Sequence, residues 1–122
     1  MKDIEGLEDI IKLINYFYEI AKQDELIGPF FTEKFVIVWE LHLPVMYDFW
    51  ENVLFFTGKY SGNPMKLHQD IHQKFPFTES DFDRWILLFK RSVDTLFKGK
   101  QADTIKQRAY NIAAVMKVKI LT

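Results

Sequence analysis

The sequence predicts an all-α domain, and two observations carry that prediction. Chain breakers are few, five glycines and four prolines, and they gather mainly at Gly28-Pro29 and between Gly58 and Pro64. Between these points apolar residues recur every three to four positions over long stretches, the period of a helix with one buried face rather than the alternation of a strand. A length of 122 residues suits a single domain, 1–122, with one core.

The first helix is expected over about 7 to 24, where Ile10, Ile14, Phe17, Tyr18 and Ala21 form one stripe and Lys12, Asn15, Glu19 and Lys22 lie largely off it. It should stop near Asp24-Glu25, ahead of a turn at Gly28-Pro29. An irregular stretch, Pro29 to Lys34, then carries Phe30 and Phe31. A second long helical segment covers about 36 to 56, with His42, Met46, Phe49, Trp50 and Val53 on one face. Pro44 lacks an N–H and disfavours a helical residue 43, so a break or a fresh start is expected just after His42.

The loop TGKYSGN leads to Pro64, well suited to be the first residue of a short helix bearing His68. Thr78 reads as an N-cap, with acidic residues in the turn that follows. That helix should run to about Phe97, burying Phe82, Trp85, Ile86, Phe89, Val93 and Leu96. Gly99 is suited to a left-handed cap at its end. A last helix, about 102 to 120, buries Ile105, Ala109, Ile112, Ala113, Met116 and Ile120, and its two alanines permit close approach by a neighbour.

Composition narrows the function classes. Sixteen basic and 17 acidic residues leave a net charge of −1 with no basic run, which argues against nucleic acid as a partner. The absence of cysteine excludes disulfides, thiol chemistry and iron–sulfur ligation. The segment MKDIEGLEDI is acidic and has no signal-peptide core, and no run approaches the roughly 20 apolar residues of a membrane span. A cytoplasmic protein without a membrane partner is expected. Aromatic residues reach 16%, with 12 Phe, so either the core is unusually aromatic or part of it wraps something flat and apolar. Neither a nucleophile elbow nor a phosphate-binding glycine loop is present.

Three histidines remain. His42 sits on an apolar face; His68 and His72 stand one turn apart, a spacing that can place two imidazoles on one metal, although no intervening glutamate and no third ligand accompany them. Any of the three could equally be a half-buried side chain satisfied by backbone or water. Tyr18 belongs on the inward stripe of the first helix, so its hydroxyl needs a partner unless it reaches solvent, and the Trp85 indole N–H poses the same question. Together they suggest a pocket with several polar tips in an apolar lining.

Taken in order, Phe17-Tyr18-Glu19, Gly28-Pro29-Phe30-Phe31, Trp39-x-x-His42-Leu43-Pro44-x-Met46-x-x-Phe49-Trp50, Gly62-Asn63-Pro64-Met65-x-x-His68-x-x-Ile71, Phe82-x-Arg84-Trp85-x-x-Leu88-Phe89 and Arg108-Ala109-x-x-Ile112-Ala113 resemble the group III (P-type) truncated haemoglobins of bacteria over nearly the whole chain. The resemblance implies a shortened globin fold with helices stacked around haem b (iron protoporphyrin IX). Its proximal histidine corresponds to His68, with His72 as the fallback ligand. It places Tyr18, His42, Met46 and Trp85 on the opposite, distal face. There Tyr18 would be the direct hydrogen-bond donor to the partial negative charge of a dioxygen ligand, Trp85 would support it, Met46 would fill the wall or simply pack the core, and His42 would act as a gate or bind the sixth iron position when no ligand is present. Phe31 and Phe49 are expected against the macrocycle. Arg108 reads as a structural salt-bridge residue, and the propionate partners stay open.

Three functions follow: reversible binding of a diatomic ligand such as O2, NO or CO; a haem enzyme for nitric oxide, peroxide or oxygen chemistry, supplied with electrons by a separate donor protein; and a haem-free helical interaction module.

Overall fold

The structure, a computed structural model, describes residues 1–122 as six helices: α1 (Leu7–Gln23), α2 (Gly28–Thr32), α3 (Trp39–Phe55), α4 (Pro64–Lys74), α5 (Glu79–Leu96) and α6 (Lys100–Leu121). Helices α1, α3, α5 and α6 make the main stack, with α1 against both α3 and α5, and α5 lying along α6 in the most extensive pairing. The stripe expected on α1 is the buried one, Ile10, Ile14, Phe17, Tyr18 and Ala21, joined by Leu13. On α6, Ala109 and Ala113 are both buried where that helix meets its neighbours.

Aromatic rings fasten α1, α3 and α5 together. The fully buried Phe89 stacks on Trp50 at 4.6 Å and on Trp85 at 5.4 Å, and receives the edge of Phe17 at 5.5 Å. Such offset and edge-on pairs add to the stabilisation that burial of the rings already brings.

Four local expectations are corrected. The stretch after Pro29 is not irregular: Gly28–Thr32 is helical. The Asp24 carboxylate accepts the N–H groups of Leu26 and Ile27 (3.0 and 3.1 Å), and Gly28 N donates to the Asp24 carbonyl, starting a turn there. Gly28 is required at this point, because a Cβ would lie 2.7 Å from the Lys22 carbonyl oxygen. Second, no break follows His42; α3 begins at Trp39 and runs through Pro44. Pro44 falls in the second turn, and both it and Glu40, whose carbonyl lacks the Pro44 N–H, are exposed, so water can take the missing bond.

Third, Gly99 does not cap α5, which ends in an extended Phe97; it opens α6 with φ 146°. Asp3 explains why. Its carboxylate accepts from Gln101 N and Ala102 N, both at 2.8 Å, and so caps α6 from the opposite end of the chain. A Cβ at Gly99 would collide with that carboxyl group. Burial pushes the Asp3 carboxyl up, but the backbone N–H donors outweigh it and hold it below the usual range. Fourth, Arg108 has no carboxylate partner. Its guanidinium donates to the Val53 carbonyl at the end of α3 and lies 4.7 Å over the Phe56 ring.

The start of α5 follows the sequence closely. Thr78 and Asp81 form a reciprocal capping box. Phe77, just before the cap, packs its ring edge on Phe82 four residues into the helix, at 5.4 Å, a hydrophobic staple. Helix α4 opens on Asn63, whose side chain accepts from Lys66 N, with Pro64 in the first turn. Yet α4 buries none of its residues and, among the helices, packs only on α6. That stand-off opens a cavity between α4 and the main stack.

Candidate functional site: an apolar cavity with a histidine on each side

Between α4 and the main stack lies a cavity of about 490 Å³, lined predominantly by hydrophobic side chains. Tyr18 from α1, Phe31 from α2, His42, Met46 and Phe49 from α3, His68 from α4 and Trp85 from α5 all face it. These residues come from five helices, so only the assembled fold brings them together. His72 is not among the lining residues.

The His68 ring is oriented by the backbone of its own helix. Its Nδ1 stands 2.7 Å from the Pro64 carbonyl oxygen. A carbonyl can only accept, so Nδ1 carries the proton and the Nε2 lone pair is left free, the tautomer an imidazole ligand needs. Burial holds the His68 imidazole below its usual range, with the Pro64 bond acting in the opposite sense. The neutral form is therefore favoured.

Across the cavity, Tyr18 is buried and its hydroxyl lies 3.2 Å from Nε2 of His42. Burial pushes the Tyr18 phenol well up, so it keeps its proton. His42 is held below its usual range, first by burial and then by the electrostatic influence of His68. Phe31, Trp39 and the His42 ring pack edge-on around Tyr18, with centroids 5.2 to 5.6 Å away. The Trp85 indole stacks on Trp50 and Phe89. No fully buried side-chain polar atom lacks a partner, so the Trp85 N–H, which makes no bond inside the protein, can be reached by water or a bound molecule.

His72 is engaged elsewhere. Its Nδ1 accepts the backbone N–H of Phe77 at 2.8 Å, and its ring stacks on Phe77 at 6.0 Å with an interplanar angle of 17°. The two histidines one turn apart thus serve different backbone groups rather than a shared centre.

Sequence reasoning missed several lining residues. Phe77, Tyr60, Leu67, Ile112, Met116 and Lys74 all face the cavity. Phe77 was legible, because an aromatic residue before a Thr-x-x-Asp cap with Phe four residues inside is the pattern of a staple. Tyr60 sits in a loop that periodicity cannot place; its ring meets the edge of Phe49 at 5.0 Å.

An apolar cavity with one neutral imidazole on α4 and a phenol–imidazole pair opposite matches the donor set of a histidine-ligated, flat, apolar cofactor. No family model matches the chain. A group 3 truncated hemoglobin of Campylobacter jejuni is 33% identical over 110 residues, covering 88% of this chain and 84% of that protein. The crystal structure of group III truncated hemoglobin from Campylobacter jejuni superposes with a TM-score of 0.86 at 31% identity, covering 98% of this chain and 95% of the other. Identity at this level over nearly the full length, together with the shared arrangement of helices, shows that the chain belongs to the group III truncated haemoglobins.

Proposed function

We propose that the chain binds haem b in this cavity, with His68 Nε2 as the axial ligand, and reversibly holds dioxygen or another diatomic ligand on the Tyr18 side. The observation that carries the reading is helix α4. None of its residues is fully buried, yet its Leu67, His68 and Ile71 face an apolar cavity whose volume falls within the roughly 300–1,000 Å³ of small-molecule sites. An apolar helix face turned towards an apolar cavity suits an apolar ligand lying between α4 and the main stack. When bound, haem would supply an iron able to take a diatomic ligand.

The protein's own groups then divide the work. The Pro64 carbonyl fixes the His68 tautomer and ring plane. Phe31, Met46 and Phe49 line the cavity and would wall the macrocycle, and Lys74, the lysine lining it, would offer a cation to the propionates. Tyr18 has a single O–H to give. With the proton of His42 on Nε2, the imidazole donates to the Tyr18 oxygen and the phenolic hydrogen is free to point into the cavity. In the other tautomer Tyr18 donates to His42, and the cavity loses that donor. His42 thus controls whether Tyr18 serves a ligand, and Trp85 supplies a second N–H.

Reconstitution with haemin tests the reading. The loaded chain should show a Soret band and, when reduced, a histidine–iron stretching band. His68→Ala should lose that band while keeping its helical circular dichroism; its persistence in His68→Ala would overturn the assignment. The convergence of Tyr18, His42 and Trp85 also favours a second reading, turnover of nitric oxide, peroxide or dioxygen with electrons from a separate donor protein. Consumption of many equivalents of nitric oxide per haem with a supplied reductant supports turnover; consumption of a single equivalent supports binding.

A further inference from the structure

The link between α4 and α5 has a complete account of its backbone donors. Phe75 N donates to the Ile71 carbonyl (2.8 Å), Pro76 has no N–H, and Thr78 N donates to the Asp81 carboxylate (2.8 Å). The remaining donor, Phe77 N, goes to Nδ1 of His72 (2.8 Å), so a side chain of α4 holds the start of α5. The Phe77 ring fixed by this bond lies 6.1 Å from the His68 imidazole, tilted 34° to it, and is braced by Phe30 at 4.9 Å and Phe82 at 5.4 Å. Few other contacts locate α4, which packs on α6 alone among the helices.

We propose that His72 is a positioning residue for the His68 imidazole: its Nδ1 anchors the Phe77 backbone, which sets both the stance of α4 and the aromatic wall beside His68. This rests on reading His68 as the axial ligand. It gives the second histidine of the His68-x-x-x-His72 pair a role other than ligation. A metal-ligating imidazole is held by its neighbours as much as by its own hydrogen bond, and loss of such support typically weakens metal binding roughly 10- to 100-fold.

Two substitutions separate the anchor from bulk. His72→Leu removes the acceptor and keeps an apolar side chain with good helix propensity. His72→Asn places an amide oxygen close to where Nδ1 stood and restores the acceptor. In the haem-free chain, hydrogen exchange of the Phe77 amide should accelerate at least about tenfold in His72→Leu and stay near the parent rate in His72→Asn. In the loaded, reduced protein the histidine–iron stretching band should shift or broaden in His72→Leu. Haem transfer to an apoglobin acceptor should quicken roughly tenfold. His72→Asn should recover both.

A His72→Leu protein with the parent's band and transfer rate overturns the proposal. So does loss of the band in His72→Leu with its retention in His68→Ala, which would make His72 the ligand. Absence of haem uptake by the parent chain defeats the underlying reading instead, and leaves the Phe77 exchange result to test the anchor. Should His72→Leu fail to fold, His72→Asn decides: near-parental haem transfer supports the anchor, and transfer accelerated tenfold refutes it.

Discussion

Replacing Tyr18 by Phe isolates one proton. The ring is buried and edge-packed by Phe17, Phe31 and Trp39, so Phe should occupy the same space with those contacts intact. Only the hydroxyl and its 3.2 Å bond to His42 disappear. In the ligand-free protein that bond is long and uncharged, and half-buried His42 can turn to water, so the loss of stability should be at most about 1 kcal/mol. With dioxygen bound the balance differs. The outer oxygen carries partial negative charge, and a hydrogen bond to a charged acceptor is worth about 1.5–3 kcal/mol. At 1.4 kcal/mol per factor of ten, Tyr18→Phe should release dioxygen roughly 10- to 150-fold faster. Carbon monoxide carries little charge when bound, so its release should change much less. Stopped-flow displacement of dioxygen by excess carbon monoxide measures the first rate and displacement by nitric oxide the second. If dioxygen leaves Tyr18→Phe no faster than the parent, Tyr18 is not the donor. An equal acceleration of both gases would mean that the substitution has opened the cavity rather than removed a bond.

Other outcomes follow from the same geometry. A ligand that binds only the folded state stabilises it by about 2.7 kcal/mol at a hundredfold excess over its dissociation constant, so haem should raise the melting temperature by roughly 10 °C for a chain of this size, read by circular dichroism. His42 and His68 are both held below the usual 6.5 in the folded chain, so the unfolded state binds more protons in the window just below that value. Their contribution is complete above 6.5 and is lost as pH falls through the lowered folded values. Urea midpoints of the haem-free protein should therefore drop from pH 7.5 to 5.5, and His68→Phe should flatten that dependence. Asp3→Ala removes the cap of α6 made by the distant chain end and should cost about 1–2 kcal/mol in urea unfolding; an unchanged midpoint would show that water serves those amides equally well.

Much of this protein is local physics and stands written in its sequence. Helical periodicity placed α1, α5 and α6, because burial of one face repeats at the pitch of the helix itself. Thr78 and Pro64 marked two helix starts, because caps involve neighbours a few residues away. The polar tips of Tyr18, His42 and Trp85 could be nominated for one pocket because each sits on an inward stripe. Other features depend on groups far apart in the chain. Gly99 serves α6 rather than α5 because Asp3 arrives from the other terminus, and α3 runs through Pro44 where both Pro44 and Glu40 lie at an exposed surface, so water can serve the carbonyl left without a partner. The division between His68 and His72 belongs here too. One turn of helix gives the two imidazoles the same periodicity, so helical spacing alone does not distinguish them; the Pro64-Met65-x-x-His68 motif favours His68 only through the family resemblance. The path of the α4–α5 link distinguishes them, by presenting the Phe77 N–H to one ring while the other is left facing the cavity.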